Sequence, residues 1–379
     1  MSIINKFKIF IKSKYIFKKP PQRPVMIYDD IGYEIINDLF DLKDVYLLDT
    51  RKISINIYIL INSLISNFFN WSNQKYIDEY IKTVNPNIVI TTTDNDTNFW
   101  KLKKKFKKIK FYFIQNGSRD NHRDVFSKNL AKEKSFFSLD AMFVFNKNIG
   151  KLYSELIEGE VIPIGSYNNN RVFDEIDEGD YLLYISQFDS YSSNAYPEGH
   201  YYFLKNNYSE RYLFKAITKI VKEKNIKFKV LGRKSDNKSK LKEKNFFKSI
   251  NSKCEYIERD VKSRIPGYKV VNKAKIIIST DSTLAYEALS KEKKVALIST
   301  RGFFLGVNAF KFGWPKKYDD NGEFWTNEAN EDKINEIINF LLNISHEDWK
   351  KLLKQYKDDL MIYDPKNTII KNYFKNIQK

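Results

Sequence analysis

Short runs of β-branched and aromatic residues recur along this chain, separated by longer segments in which apolar and polar positions mix. In the first half, the runs lie at residues 23–32, 45–48, 87–92, 110–114, 141–145 and 160–165. In the second half, they lie at residues 181–186, 228–232, 254–257, 276–279 and 295–298, with a helical pattern at residues 211–224. Apolar runs of this length predict buried strands, and strands that alternate with helices predict parallel sheets covered on both faces.

The series of predicted strands starts twice, on either side of the polar stretch 166–170. A chain of 379 residues can fill two cores, because single cores stop growing at about 250–300 residues. We therefore predict a basic amphipathic lead-in at 1–22, Rossmann-like domains at 23–165 and 166–330, and C-terminal helices at 331–379. This α/β layout resembles the two-domain GT-B architecture, with an interdomain cleft and a helical tail that packs back on the N-terminal domain.

Polar residues follow nearly every predicted strand. Ligands of open α/β sheets bind beyond the C-terminal ends of the strands, so these positions are the candidate site. In the first domain they are Asp29, Asp30, Thr93, Asp94, Asn95, Asp96 and residues 115–120. In the second domain they are Ser186, Gln187, Gly232, Arg233, Ser279, Thr280, Asp281, Ser282 and Thr283.

Residues 276–289 carry the most informative pattern in the sequence. Three isoleucines predict a buried strand, the five polar residues 279–283 follow, and a helix-forming run begins directly after them. The free N–H groups and the dipole of a helix start favour a bound phosphate. The alternative is that one of these residues only caps the helix. Because capping needs one such residue and five are present, we favour a phosphate of a ligand.

The composition narrows the function classes. The net charge is +18, but the lysines are spread along the whole chain and no nucleic-acid-binding motif is recognisable, so we expect no nucleic-acid partner. A single cysteine, Cys254, excludes a disulfide framework. The three histidines, His122, His200 and His346, are too widely spaced for a local metal motif, which leaves carboxylate-bound Mg²⁺ as the remaining metal option.

Two N-terminal segments raise the question of membrane contact. Residues 1–19 alternate bulky apolar residues with lysines, which suits either an anionic membrane surface or a docked basic lead-in. Residues 53–69 are long enough to span a bilayer, but the asparagines and serines among them predict a buried helix instead. We expect a cytoplasmic protein, with peripheral contact to the inner membrane as an open alternative.

Five short motifs occur in an order that resembles a known family. They lie at residues 113–119, 161–169, 183–188, 230–234 and 279–289. Together they are similar to bacterial surface carbohydrate biosynthesis proteins, a group of GT-B glycosyltransferases, and more distantly to sialyl and ulosonic acid transferases that use CMP-sugars. The resemblance implies a donor on the C-terminal domain and an acceptor on the N-terminal domain. It also implies that Ser279, Ser282 and Thr283 hold the CMP phosphate and that Glu287 binds the nucleotide ribose.

The distant resemblance fails at one position. Asn116 precedes Gly117 where the CMP-sugar transferases carry an acid, and an amide cannot act as a general base. Beside Asn116, the candidate catalytic residues are therefore the carboxylates Asp120, Asp94 and Asp30, with Asp96 as a further one. A retaining reaction could instead use a carboxylate as nucleophile, and the sequence leaves both routes open.

Arginine, glutamine and histidine side chains complete the predicted site. Arg233 is placed to bind a phosphate or the carboxylate of an acidic sugar. Gln115, Arg119 and His122 are the predicted acceptor or sugar contacts. We expect transfer of a sugar, first of all a CMP-linked nonulosonic or ulosonic acid, to a glycan, lipid-linked glycan or glycoprotein. Neither a metal nor a cofactor beyond the nucleotide-sugar co-substrate is expected.

Other functions remain open at this point. A UDP-hexose glycosyltransferase and a CDP-glycerol or ribitol phosphotransferase would share the architecture. A nucleotide-sugar epimerase is a further alternative, although the carboxylate and histidine groups that it needs cannot be placed. Outside the enzymes, the basic N-terminus and the cleft would also suit a membrane-associated protein that binds glycan or lipid.

Overall fold

The computed structural model describes residues 13–29, 38–50, 54–122, 124–172, 179–189, 199–259 and 265–377. Its strands are β1 (Lys14–Ile16), β2 (Val25–Tyr28), β3 (Val45–Leu48), β4 (Ser54–Asn56), β5 (Ile88–Thr91), β6 (Lys110–Ile114), β7 (Ser138–Val144), β8 (Glu158–Pro163), β9 (Tyr181–Ile185), β10 (Lys227–Leu231), β11 (Glu255–Ile257), β12 (Ile276–Ser279), β13 (Val295–Ile298) and β14 (Trp325–Thr326). Its α-helices are α1 (Ile57–Ser66), α2 (Asn73–Val84), α3 (Thr97–Trp100), α4 (Leu102–Lys105), α5 (Lys147–Leu156), α6 (Tyr167–Asn170), α7 (Gly199–Glu223), α8 (Asn237–Ile250), α9 (Ile265–Asn272), α10 (Thr283–Ser290), α11 (Thr300–Leu305), α12 (Glu331–Asn343), α13 (His346–Leu353), α14 (Lys357–Leu360) and α15 (Thr368–Ile377).

The first sheet is parallel and has the strand order β3-β2-β5-β6-β7-β8. Ile27 of β2 lies between Leu47 of β3 and Ile90 of β5, so apolar side chains continue across the sheet. All four residues of β2 and of β5 are buried, as expected for strands covered on both faces. The chain order reverses between β2 and β5, and this switch point opens a crevice beyond their C-terminal ends.

The second sheet is also parallel and has the order β11-β10-β9-β12-β13-β14. Numbered along the chain, this is the 3-2-1-4-5-6 order of a Rossmann fold. Ile277 of β12 pairs with Leu183 of β9 on one side and with Val295 of β13 on the other. The switch point therefore lies between β9 and β12. The predicted α/β class with two Rossmann-type units is confirmed.

The C-terminal helices divide between the two sheets. Ile337 and Trp349 are buried in the core of the second sheet, whereas Phe374 of α15 packs on Tyr112 of the first sheet with ring centroids 5.1 Å apart. The prediction that residues 331–379 as a whole pack on the N-terminal domain is therefore too broad. The apolar stripes of α12 and α13 complete the second core, and the chain returns to the first sheet only near its end.

The helix predicted to be buried within residues 53–69 is α1, and the structure buries one side of it only. Ile59 and Ser63 are completely buried, whereas Ile61 and Ile65 are exposed. In the part of the chain that the structure describes, no helix is long and apolar enough to cross a membrane.

Candidate functional site

A polar cleft lies where the C-terminal ends of the two sheets meet. It has two lobes that share Gln187, Arg233 and Thr283. The second-sheet lobe, of about 240 Å³, is lined by the residues after β9, β10 and β12, together with Arg259, Tyr268 and Glu287. The bridging lobe, of about 250 Å³, adds Ser118, Arg119 and Asp120 of the first sheet to Asp281 and Arg301 of the second. Both lobes therefore lie where parallel sheets bind their ligands.

The polar turn between β12 and α10 forms one wall of both lobes. Ser282 is the N-cap of α10, but its side chain makes no capping hydrogen bond. The Ser279 hydroxyl accepts the backbone N–H of Ser282 at 3.2 Å instead. Ser282 and Thr283 line the second-sheet lobe, so the start of α10 borders the cleft. This arrangement leaves the cap position open to an anionic ligand.

The predicted phosphate residues do not all reach the cleft. Ser279 and Thr280 are almost completely buried and line neither lobe. The Thr280 hydroxyl donates to Asp281 at 2.9 Å. Their predicted direct contact with a ligand is therefore wrong, because both hydroxyls hold the turn itself.

Arg301 compensates the charge of Asp281. Its Nη1 lies 3.2 and 3.0 Å from the two carboxylate oxygens, and its Cζ lies 3.9 Å from the centroid of the Phe310 ring. Stacking and pairing together fix the guanidinium in the bridging lobe. Arg301 was not among the site residues predicted from the sequence. Since it follows β13 by three residues, the same strand-end rule that selected Arg233 could have found it.

The loop after β10 is held by Glu243 of α8, which is also absent from the predicted site. This buried carboxylate accepts the N–H groups of Arg233 and Lys234 at 2.9 and 3.0 Å, and the hydroxyls of Ser186 and Tyr256 at 2.5 and 2.8 Å. The Ser186 hydroxyl, which was predicted to contact the nucleotide donor, therefore donates its hydrogen bond to Glu243 instead.

Arg233 itself points its exposed guanidinium at both lobes. Its Nη1 donates only a long bond of 3.5 Å to the carbonyl oxygen of Gln187. Before it, Gly232 lines the second-sheet lobe, where a Cβ atom would overlap the Tyr256 hydroxyl. The glycine thus lets the backbone pass close to Tyr256 while the next side chain enters the cleft.

Gln187 rests on a buried glutamate of α7. Its backbone N–H donates to Oε2 of Glu210 at 3.0 Å, and Glu210 is 1% exposed. Burial raises the pKa of Glu210 to about 8, although the bond from Gln187 and the charge of Arg301 act in the opposite direction. The carboxyl is therefore neutral over most of the physiological pH range.

On the first sheet, Asp94 is a buried anchor and not a cleft residue. Its two oxygens accept Nε and Nη2 of Arg119 at 2.7 and 2.5 Å, the Tyr153 hydroxyl at 2.5 Å and the backbone N–H of Asn116 at 3.1 Å. Burial opposes the charge of Arg119, but Asp94 keeps the pKa of the guanidinium above its ordinary value. A carboxylate with no exposed surface cannot reach an acceptor hydroxyl, so the prediction of Asp94 as a base is wrong.

The remaining candidate residues of the first sheet differ in whether they line the cleft. Asp120 lines the bridging lobe, with Oδ1 accepting the N–H of His122 at 2.8 Å. His122 is exposed and lines neither lobe, so the structure does not bring it to the site. Asp96 caps α3 by accepting the N–H of Asn98 at 2.9 Å. Asp30 lies outside the described residues.

Gln115 and Asn116 shape the loop that carries Asp120. Gln115 accepts the N–H of Phe145 at 2.9 Å and donates to the carbonyl of Gly117 at 2.9 Å. The Asn116 amide oxygen accepts Nη2 of Arg119 at 2.8 Å, although Asn116 also borders the second-sheet lobe.

Direct hydrogen bonds join the two sides of the cleft. The Ser118 N–H donates to the Thr283 hydroxyl at 3.1 Å, and Trp314 Nε1 donates to the carbonyl of Arg119 at 3.1 Å. The Ser166 hydroxyl donates to Glu287, which lines the second-sheet lobe. Glu287 thus lines the lobe in which the ribose contact was predicted, and one of its carboxylate oxygens already accepts a hydrogen bond from Ser166.

Metal ligands are the last kind of group to place. Among the residues that the structure describes, no three His, Cys, Asp or Glu side chains are grouped so as to hold a metal ion. Cys254 is buried directly before β11 of the second sheet and lines neither lobe.

Fold and cleft together define a GT-B protein, and solved structures agree. MnaA from S. aureus, in complex with UDP, aligns with a TM-score of 0.55 at 14% identity over 94% of this chain and 98% of its own. A UDP-GlcNAc 2-epimerase from Methanocaldococcus jannaschii aligns with a TM-score of 0.51 at 15% identity, over 94% of this chain and 100% of its own. A glycosyltransferase from Rickettsia africae aligns with a TM-score of 0.51 at 15% identity, over 94% of this chain and 90% of its own. At this identity the similarity concerns the fold alone.

The chain belongs to the family described as "putative O-antigen biosynthesis protein", whose model matches residues 112–378. The comparison with curated proteins gave no match. The expected place in surface carbohydrate biosynthesis is therefore confirmed at the level of the family.

Proposed function

We propose that this chain is a glycosyltransferase that moves a sugar from a nucleotide donor onto a glycan of the bacterial surface. The observation that carries the proposal is the pairing of Arg233 with the start of α10 in one lobe, at the switch point of the second sheet. An exposed guanidinium and a helix N-terminus both attract phosphate, and the switch point is where nucleotides bind in Rossmann folds. The family supports a surface glycan as the acceptor class.

The nucleotide would occupy the second-sheet lobe. Its phosphate would lie against the first turn of α10 and Arg233, and its ribose hydroxyls would lie near Glu287. The negative charge that develops on the leaving phosphate would be offset by these same groups. For this reason we propose transfer without a metal ion and without a cofactor other than the nucleotide-sugar itself.

Two donor classes fit this lobe. UDP is favoured because MnaA and the epimerase, which share the fold, carry UDP or UDP-GlcNAc in their names. A CMP-linked acidic sugar is the second candidate, because a second arginine, Arg259, lines the lobe beside Arg233. Two guanidiniums would serve one phosphate and one sugar carboxylate.

Asp120 is the proposed general base. It would accept the proton of an acceptor hydroxyl while that oxygen bonds to the anomeric carbon of the donor. The bond from the anomeric carbon to the phosphate oxygen would break, and the nucleotide would leave with the electron pair. The other carboxylates that line the lobes are Asp281 and Glu287. Asp281 forms an ion pair with Arg301, and Glu287 accepts a hydrogen bond from Ser166.

The proposed base suits transfer better than epimerisation, because transfer needs acid–base catalysis at one position only. Moving a proton off one face of a sugar carbon and onto the other requires acid–base groups on both faces. A single base at Asp120 is enough to activate an acceptor hydroxyl.

The test is donor turnover by the full chain. UDP-GlcNAc, UDP-glucose, CMP-sialic acid and CDP-glycerol are each incubated with lipid-linked glycans extracted from bacterial membranes, and released nucleotide is measured. We expect release of UDP or CMP only with acceptor present. Asp120→Asn should lower it by about 10²-fold or more at unchanged nucleotide affinity.

Asp332→Asn, an exposed change on α12, is the matched control and should retain full turnover. Recovery of an epimerised sugar without transfer would replace the proposal by an epimerase. Transfer from CDP-glycerol would replace it by a phosphotransferase. Binding of glycan without any donor consumption would favour a binding protein.

A further inference from the structure

The helix α1 and the 3₁₀ helix Phe68–Asn70 that follows it turn apolar side chains to solvent. Ile61 and Ile65 are 50 and 73% exposed, and Phe68 and Phe69 are 76 and 100% exposed. Ile61 and Ile65 share one face of α1, because they are four residues apart, and Phe68 and Phe69 follow after α1 has ended at Ser66. On the opposite side, the polar residue Ser63 is completely buried. The helix thus turns one apolar face to solvent, although Ile59 on its other side is completely buried.

Hydrogen bonds hold the aromatic residues in this exposed position. The hydroxyl of Ser63 accepts the indole N–H of Trp71 at 3.1 Å, and its carbonyl oxygen accepts the Asn67 amide at 3.0 Å. The rings of Phe68 and Phe69 contact each other edge to face, with centroids 5.3 Å apart. Several large apolar side chains exposed close together in the sequence in this way mark an interaction site.

Two lysines lie beside the start of α1. Lys19 lies over the ring of Tyr58 in α1 at 5.9 Å, and the Asn56 amide at the start of α1 donates to the carbonyl of Lys18 at 2.9 Å. Phe17, next to them, is 75% exposed. The sequence contains no Asp or Glu in residues 1–28 or 50–77. Of the acidic residues next to these ranges, Asp49 is hydrogen-bonded to Ser54, and Asp78 is buried and paired with Lys105. The exposed Lys18 and Lys19 therefore give the start of α1 a positive charge.

We propose that the surface formed by Phe17, Ile61, Ile65, Phe68 and Phe69, with Lys18 and Lys19, docks this protein on an anionic lipid bilayer. Aromatic and aliphatic side chains enter the headgroup region, while lysines contact acidic headgroups. A second copy of the chain fits less well, because it would bring the same lysines to a shared interface. The membrane contact predicted for residues 1–19 shares Phe17, Lys18 and Lys19 with this surface. Residues 1–12 lie outside the described part of the chain, and the residues of α1 were predicted to be buried.

The test is flotation of the full chain with vesicles, in the absence of any nucleotide. We expect binding to vesicles of phosphatidylglycerol and phosphatidylcholine in equal amounts, and little binding to pure phosphatidylcholine. Phe68→Ser combined with Phe69→Ser should lower the partition coefficient by about tenfold or more, because two large apolar side chains no longer enter the bilayer. High salt should weaken binding of the unaltered chain.

Phe136→Ser is the matched control, since Phe136 is a 59% exposed phenylalanine outside this surface, and it should bind as the unaltered chain does. Circular dichroism should show unchanged melting for both variants. The proposal is overturned if the chain does not float with anionic vesicles, or if the control loses binding equally. It is also overturned if sedimentation shows a dimer that the double variant dissociates. Because no nucleotide is present, failure here would leave the transferase proposal standing.

Discussion

Ser118 and Thr283 meet across the cleft. The backbone N–H of Ser118 donates to the Thr283 hydroxyl oxygen at 3.1 Å, and the two hydroxyl oxygens lie 3.0 Å apart. Thr283 is the first residue of α10, so the proposed phosphate position and the loop of the first sheet share one hydroxyl group. A donor phosphate at the start of α10 would therefore contact both sides of the cleft.

Thr283→Val is expected to weaken nucleotide binding by about three- to tenfold, the effect of losing one neutral hydrogen bond. The isosteric change leaves the shape of the first turn intact. Titration calorimetry with UDP and CMP measures the effect. Thr368→Val is the matched control, because Thr368 is the exposed first residue of α15, remote from both lobes. Equal affinities in all three proteins would remove Thr283 from the phosphate site.

Asp94→Asn is expected to destabilise the protein by about 3 kcal/mol, because the buried guanidinium of Arg119 then keeps only its longer ion pair with Asp124, at 3.6 Å. Thermal unfolding followed by circular dichroism measures the loss. Asp41→Asn removes an exposed pair with Lys43 and should leave the melting temperature unchanged. Below its melting temperature, Asp94→Asn should retain more turnover than Asp120→Asn. The reverse order would restore Asp94 as the base.

Glu243→Gln is expected to weaken nucleotide binding although Glu243 does not line the cleft. The carboxylate holds the backbone of Arg233 and Lys234, and an amide can accept at only one of its two positions. Arg233 would then lose its fixed placement, and the affinity for UDP or CMP should fall by about tenfold. Glu255→Gln, at an exposed ion pair on β11, is the control. An unchanged affinity in Glu243→Gln would show that the loop is placed by other contacts.

Much of this fold could be predicted from the sequence, because parallel strands buried on both faces are continuous apolar runs. β3, β6, β12 and β13 begin and end where the pattern predicts. The missed strands β1, β4 and β14 are only two or three residues long, which is too short for any periodicity. The outward face of α1 was missed for another reason. Apolar composition alone cannot tell a helix that packs on a core from one that faces an external surface.

The position of the site could also be predicted, but the role of each residue could not. The rule that ligands bind beyond strand ends selected Arg233, Thr283 and Asp120, which line the cleft. The same rule selected Asp94, which pairs with Arg119 inside the protein. Burial and pairing depend on contacts distant in sequence, as in the bond from Ser166 to Glu287. The supporting Glu243 lies in mid-helix, where a glutamate gives no signal of its own.

The stability of the protein should fall as pH rises from about 5 to about 8. Burial raises the pKa of Glu210 from 4.5 to about 8, so in this range the folded chain holds a proton that the unfolded chain has released. Stability then declines with a slope of up to about 1.4 kcal/mol per pH unit and levels off above the folded pKa.

Glu210→Gln should remove this component, so its stability relative to the unaltered chain should improve steadily across the same range. Urea unfolding at several pH values measures both curves. Glu223→Gln, an exposed change at the end of the same helix, should follow the unaltered chain. Parallel curves for the unaltered chain and Glu210→Gln would show that Glu210 does not hold the proton.

The most direct test of the central claim is calorimetric titration of UDP, CMP, CDP and GDP into the unaltered chain and into Arg233→Ala. We expect one pyrimidine nucleotide to bind preferentially, and Arg233→Ala to weaken it by about ten- to a hundredfold, the effect of a lost charge-assisted hydrogen bond. Arg211→Ala, which removes an exposed arginine of α7, should not change the affinity. Absence of heat with every nucleotide, in a chain that melts cooperatively, would contradict a nucleotide-sugar transferase.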